Sequence, residues 1–172
     1  MAVQDKYAET LQNSDGNTFA QFNPAIFTGG LDLKVAFNRV EVATADDANS
    51  VYRIFRDVPA SIVPVFLLIG ADAAIDIADM NIGLWKPNFG AVVSENCLAD
   101  ALNPSGGIAL TLAAALNGLA AIAIDNRYKK LYEHGGHSLT TKLGAYDIGI
   151  KSISNPGAAG SITALLIFGQ SG

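Results

Sequence analysis

Apolar and polar positions alternate along much of this chain, and the alternation begins at Leu31. Leu31, Leu33, Val35 and Phe37 alternate with Asp32, Lys34, Ala36 and Asn38, the period-two pattern of a half-buried strand. The apolar phase then shifts to Val40 and Val42, which predicts a bulge or a second short strand. Asp46, Asp47 and Asn49 supply turn chemistry. Residues 51–58 are rich in β-branched and aromatic side chains and predict the next strand, closed by a turn at 58–61. Residues 62–69 form a nearly continuous apolar run, fit for a strand buried on both faces, with Pro64 placing its start at an edge or bulge. Residues 71–85 alternate again, with Ile75, Ile77, Ile82 and Leu84 as the apolar set. Lys86, Pro87 and Asn88 end that strand, residues 90–93 offer a short continuation, and 95–102 suit a helical turn that Pro104 and Gly107 break.

The best helical pattern lies at 117–134. Leu116, Leu119, Ala120, Ala123, Ile124, Tyr128 and Leu131 recur at three-and-four spacing, Asn117 suits the N-cap, and Gly135 and Gly136 form the stop. Lys129 and Lys130 suit the negative end of its dipole. Two closing strands are expected at 145–153 and 161–168, joined by a hairpin-like loop at 155–160. Six or seven short strands with one or two short helices predict a mainly β fold, an antiparallel, jelly-roll-like β-sandwich. No internal repeat is evident.

Residues 1–30 follow a different pattern. Polar residues dominate 12–17, aromatics then appear singly at Phe19, Phe22 and Phe27 around Pro24, and Gly29 and Gly30 close the segment. With no strand or helix period it cannot build its own core. It reads as an extended N-terminal arm, residues 1–30, ahead of a sandwich domain at 31–172. Tyr7, Phe19, Phe22, Ile26 and Phe27 are the side chains expected to dock it onto a partner.

Composition narrows the function. The chain has 172 residues, a net charge of −5 and only 16% charged residues. The acidic balance without clustered Lys and Arg argues against nucleic acid as a partner. One cysteine, Cys97, rules out an intrachain disulfide or a Cys-rich zinc site. The first residues carry no apolar core of a secretory signal. Residues 108–124 are uncharged, at the short limit for crossing ~30 Å of hydrocarbon. They include Thr111, Asn117 and Gly118, so they read as a buried segment rather than a membrane span. Between Val58 and Asn126 there are seven charges, of which Lys86 alone is basic. Either that region contacts other protein or it is an Ala-rich core. The first reading predicts a homo-oligomer, a trimer by preference.

Candidate chemistry is sparse. His134 and His137 stand three apart, but two glycines separate them and no third ligand is recognisable, so they read as a solvated turn. Asp72, Asp76 and Asp79 match no calcium loop, and on a strand Asp72 and Asp76 would share a face while Asp79 points away. Cys97 or Ser94 can be drawn as a nucleophile beside either histidine, yet no elbow or oxyanion motif accompanies them. The glycine-rich pieces at 105–107 and 157–160 lack the order of phosphate loops. The expectation is a protein that is not an enzyme and holds no metal or cofactor.

Three segments resemble small structural proteins of tailed bacteriophages. The first is Ile75-Asp-Ile-Ala-Asp-Met-Asn-Ile-Gly-Leu-Trp85 followed by Asn88-Phe-Gly-Ala-Val-Val-Ser94. The second runs from Asn126 through Tyr128, Lys129 and Lys130 to Glu133. The third pairs Tyr146-Asp-Ile-Gly-Ile150 with Gly160-Ser-Ile-Thr-Ala-Leu-Leu-Ile-Phe168. The resemblance covers about residues 50–169, with gaps. It implies a head decoration (cement) or minor capsid protein, located in the virion on the capsid surface, with the major capsid protein as partner and a trimeric state. The long arm departs from the shorter members of that family. Another virion part, in the tail or neck, and a carbohydrate-binding sandwich are the alternatives.

Overall fold

The computed structural model describes residues 31–72, 75–111, 115–123, 126 and 128–171. The arm residues Tyr7, Phe19, Phe22, Ile26 and Phe27 lie outside the described residues. Eight strands follow in order: β1 (Leu31–Val42), β2 (Val51–Pro59), β3 (Val63–Ala71), β4 (Met80–Trp85), β5 (Val92–Leu102), β6 (Leu116–Asn117), β7 (Ala145–Ser152) and β8 (Gly160–Ser171). A single-turn helix, α1 (Leu131–His134), precedes β7. The strands form two four-stranded antiparallel sheets, β1-β8-β3-β6 and β2-β7-β4-β5.

The order has a simple origin. β1 pairs with β8, β2 with β7, β3 with β6 and β4 with β5, all antiparallel. The chain is thus one long hairpin bent at β4–β5. It is rolled so that β3 also meets β8 and β4 also meets β7. That is the jelly roll, in which successive paired strands fall alternately into two facing sheets. Ile62, Leu67, Ile69, Ile162 and Leu166 from the first sheet and its approach meet Ile54, Ile82, Leu84, Tyr146, Ile148 and Ile150 of the second in one buried cluster.

Several elements differ from the sequence expectation, each for a local reason. β1 is paired residue for residue with β8, from Leu31↔Ser171 to Val42↔Gly160, so there is no bulge at Val40. Its inward row is Ala36, Asn38, Val40 and Val42, whereas Leu33, Val35 and Phe37 are 69%, 64% and 61% exposed. Asn38 is tolerated on the inward row because its Nδ2 donates to the Ile54 carbonyl at 2.6 Å. β3 does carry the irregularity expected at Pro64, between Pro64 and Phe66. Val65 and Phe66 are exposed there; burial on both faces, as expected, holds from Leu67 to Ala71, and β4 is buried on both faces throughout. Within the run at 71–85 only Met80–Trp85 is a strand of its own; Ala71 ends β3, and the irregular residues Ile75 and Ile77 ahead of β4 are still buried.

Residues 95–102 are strand, not helical turn, and they pair with β4 through three register shifts. The bulged strand fits because Gly83 has no side chain: a Cβ there would run into the Ser94 carbonyl and the Glu95 backbone. The expected helix at 117–134 is divided among β6, a 3-10 turn (Gly118–Ala121) and α1. Asn117 does cap, its side chain accepting from the Leu119 N–H, but it also pairs with Leu68 of β3. The Leu131 and Tyr132 N–H groups donate to the carbonyls of Ile62 and Ala60, which removes them from any helical ladder. Leu119 and Leu131 are buried as the periodicity required, but from separate elements. No helix of the described residues is long and apolar enough to cross a membrane. β7 and β8 exist as expected but belong to different sheets, so the loop after β7 crosses the sandwich rather than closing a hairpin.

Gly83→Ala is expected to lower stability by about 2–3 kcal/mol, because the opposing atoms are backbone and cannot rotate aside. Gly144→Ala, where an added Cβ meets nothing within 4 Å, is the control and stays within about 0.5 kcal/mol of wild type. Urea unfolding of both variants reads the difference.

Candidate functional site

Three features outside the core have chemical character. The first is a cleft of about 320 Å³ whose lining includes Cys97, Asp100, Asn126, Lys129, Glu133 and His134. It brings together Cys97 and His134, the pair that spacing alone left as a drawing. Burial pushes the Cys97 thiol up to about 11, and its Sγ–H donates weakly to the Ser94 carbonyl at 3.7 Å. Burial, aided by the Lys129 charge and opposed by Glu133, holds His134 below the usual histidine range. Its Nε2 is buried without a hydrogen-bond partner among the described residues. Both shifts run toward the uncharged form, the opposite of what favours the thiolate–imidazolium pair of a cysteine nucleophile.

The other sequence candidates disperse. His137 is not in a solvated turn; its Nδ1 lies 2.6 Å from the hydroxyl of buried Tyr146, which also accepts from the Leu143 N–H. Asp72 accepts from both the N–H and the hydroxyl of Ser161, which lowers its pKa and ties it to the start of β8. Asp76 and Asp79 lie on the irregular crossing between β3 and β4, so the three carboxylates share no strand face. Among the described residues, no three of His, Cys, Asp and Glu gather closely enough to hold a metal.

The second feature is the turn joining β4 to β5. Asn88 and Phe89 both take left-handed φ, 56° and 57°, which side-chain-bearing residues rarely adopt. Arg53 of β2 holds the turn. Its guanidinium donates to the carbonyls of Lys86 and Gly90, each at 2.7 Å, and to Asp147 Oδ2 at 2.8 Å. Asp147 Oδ1 in turn accepts from the Asp57 N–H at 2.9 Å. The pair is deeply buried, with side chains 10% and 1% exposed. Arg53 and Arg56 both lie over the Phe89 ring, at 5.5 and 5.2 Å. Phe89 itself is 76% exposed. Sequence reading identified the turn residues but not this clamp, whose members stand 94 residues apart.

The third feature is the outer face of the first sheet. Val35, Ile167 and Phe66 form one row across β1, β8 and β3, and Phe37, Leu165 and Leu68 form the next. Residues directly opposite on paired strands share a face at about 5 Å. Phe66 is exposed and Leu165 and Ile167 are half-buried, so with Leu33, Val35 and Phe37 they make a continuous apolar surface. Its polar end is Arg39, paired to Glu41 at 2.9 Å. The first strand's alternation carried this signal, but with the face inverted.

The fold is similar to a solved chain titled Cyanophage Pam1 capsid asymmetric unit, with 18% identity, a TM-score of 0.41, and coverage of 81% of this chain and 86% of that one. No family model matches the sequence. No curated protein matches it.

Asp147→Ala is expected to cost about 3–5 kcal/mol, since it strands a buried guanidinium; a denaturant midpoint unchanged from wild type would show that the pair is screened. A pH test addresses His134. Its folded pKa lies below the unfolded value near 6.5, so as pH falls through 6.5 the unfolded chain takes up a proton the folded chain refuses. Stability from this group is therefore full above pH 6.5 and declines below it. The thermal midpoint should drop between pH 7 and pH 5 more steeply for wild type than for His134→Gln, and parallel profiles would place His134 in free contact with water.

Proposed function

We propose that this chain is a non-enzymatic structural protein of a tailed-phage virion, a decoration or cement protein that binds the outside of the head through its major capsid protein. The observation that carries the reading is the exposed apolar outer face of the first sheet. Monomeric proteins rarely leave so continuous an apolar surface to water, and such a face marks a contact with other protein. One of its strands, β8, contains the segment Gly160–Phe168 by which the chain resembles phage structural proteins. The Phe89 turn lies in another such segment and presents a rigid aromatic beside a guanidinium, side-chain types enriched at interface hot spots.

In this reading the sandwich at 31–172 is the folded body, and the arm at 1–30 attaches it. Tyr7, Phe19, Phe22, Ile26 and Phe27 are the arm's anchors, each worth roughly 1.5–3 kcal/mol when buried on a partner. The working unit is a homo-oligomer, a trimer, without cofactor, nucleic acid or membrane. Many symmetric copies multiply weak single contacts into firm attachment.

Electron microscopy of phage heads incubated with the protein provides the test. Ordered density at symmetry-related positions on the outer capsid is the expected result; density confined to tail or neck, or none, would sink the reading. Deleting residues 1–28 should leave a cooperative unfolding transition and weaken attachment, with Phe19→Ala plus Phe22→Ala doing part of the same damage. An unchanged attachment would make the arm a passive tail, and loss of folding would place it in the core.

A further inference from the structure

We infer that the Phe89 turn of one copy of this chain docks into the cleft beside Cys97 and His134 of a second copy, with Arg56 set against Asp100. The inference rests on the homo-oligomer of the reading above and supplies its contact. The outer face of the first sheet stays free for a different protein.

Position is the first argument. The second sheet has the order β2-β7-β4-β5, so β2 and β5 are its two edges. The Phe89 ring is held at the β2 edge, against the guanidinium groups of Arg53 and Arg56. The cleft lies along the other edge, where Cys97, Ala99 and Asp100 of β5 face Ile122, Glu133 and His134. Three inter-strand spacings, about 14 Å, separate the two edges. Arg53 fastens the turn to β2 through the Lys86 and Gly90 carbonyls, which keeps the ring away from its own chain's cleft. A knob on one edge and a socket on the other meet between copies. Such a contact is head-to-tail, and a rotation that closes turns it into a ring. The trimer of the reading above is a ring of this kind.

Complementarity is the second argument, and it selects a copy. Phe89 is 76% exposed on a turn that is already fixed, so docking has little further chain to order. The cleft, at about 320 Å³, is at the lower end of the ligand-pocket range and has room for one aromatic ring. Ala99, Ile122 and Ala123 give it apolar wall. At the knob, Arg53 and Asp147 cancel, and Arg56 and Lys86 outweigh Asp57. Arg56 and Lys86 are exposed and make no ion pair among the described residues. In the cleft, Asp100 and Glu133 outweigh Lys129. Glu133 uses Oε2 to accept from the Lys130 N–H, whereas the exposed Asp100 carboxylate has no partner among the described residues. Opposite signs therefore face each other across this contact, in a chain whose net charge of −5 sets two copies against each other elsewhere.

Sedimentation of the full chain at micromolar concentration tests the contact. It compares wild type, Phe89→Ala, Arg56→Glu, Asp100→Lys, the double variant Arg56→Glu with Asp100→Lys, and Val35→Lys, with circular dichroism and thermal unfolding as fold controls. All four positions are exposed, so each variant should unfold within a few degrees of wild type. Wild type is expected at a multiple of 17.9 kDa. Phe89→Ala, Arg56→Glu and Asp100→Lys should each associate at least tenfold more weakly. The double variant carries opposite charges again at every contact of the ring and should recover part of the association, which a folding defect cannot imitate. Val35→Lys should keep the wild-type mass. A monomeric wild type overturns the inference, as do single variants of wild-type mass or a double variant no better than its parents. Dissociation by Val35→Lys alone also overturns it, because the second copy then sits on the first sheet. A monomeric wild type that still decorates phage heads removes this contact and leaves the virion reading standing. An oligomer that the three single variants dissociate, yet that leaves heads bare, supports the contact and sinks the virion reading.

Discussion

The register between β1 and β8 determines the character of this molecule's surface. Side chains on a strand alternate between faces, so a one-residue slip exchanges the buried row for the exposed one. β1 has two rows with apolar content: Leu33, Val35 and Phe37 on one, and Ala36, Val40 and Val42 on the other. β8 decides between them. Its Ile162, Ala164 and Leu166 must face Tyr146, Ile148 and Ile150 across the sandwich, and their partners in β1 are Val40, Asn38 and Ala36. The larger apolar row is thereby turned outward.

The two sheets close their outer faces in opposite ways. On the second sheet, Gly83 and Gly149 leave room for neighbours to lie close: β5 crosses over Gly83, and the Trp85 ring sits where a Gly149 side chain would be, 2.7 Å from its ideal Cβ. Arg53 and Asp147 complete that side with a buried, hydrogen-bonded ion pair. Such a pair contributes little net stability against an apolar substitute, but it ties β2 and β7 to one turn geometry. The first sheet has no comparable cover on Val35 and Phe37 among the described residues. Among the described residues, one side of the sandwich is sealed by its own chain, and the other leaves Val35, Phe37 and Phe66 exposed.

This asymmetry is what the functional reading rests on. In the Cys97–His134 cleft desolvation shifts the thiol up and the imidazole down, each toward its uncharged form. The surfaces carry the stronger signals: an apolar face on one sheet, and on the other a rigid turn whose left-handed Asn88 and Phe89 are held by Arg53. Both are suited to contact with protein, and they occupy separate sheets.

Local chemistry in the sequence was enough to establish the β-rich class, the sandwich, the closing strands, the irregularity at Pro64 and the cap at Asn117, because alternation, turn residues and capping act over a few positions. The same locality misled elsewhere, and three cases show why. The alternation of β1 could not say which row faces inward, since the deciding contacts are on β8, some 120 residues further along. The three-and-four spacing after Asn117 reflected real burial of Leu119 and Leu131, but carbonyls of Ala60 and Ile62 claimed the N–H groups a helix needs. The segment at 95–102 became a strand because Gly83 of β4 admits it. The Arg53–Asp147 clamp and the outward apolar face were likewise settled only when distant strands came together. Periodicity reports that a residue is amphipathically placed; which neighbour covers it is a property of the pairing register, and that exists only in the folded chain.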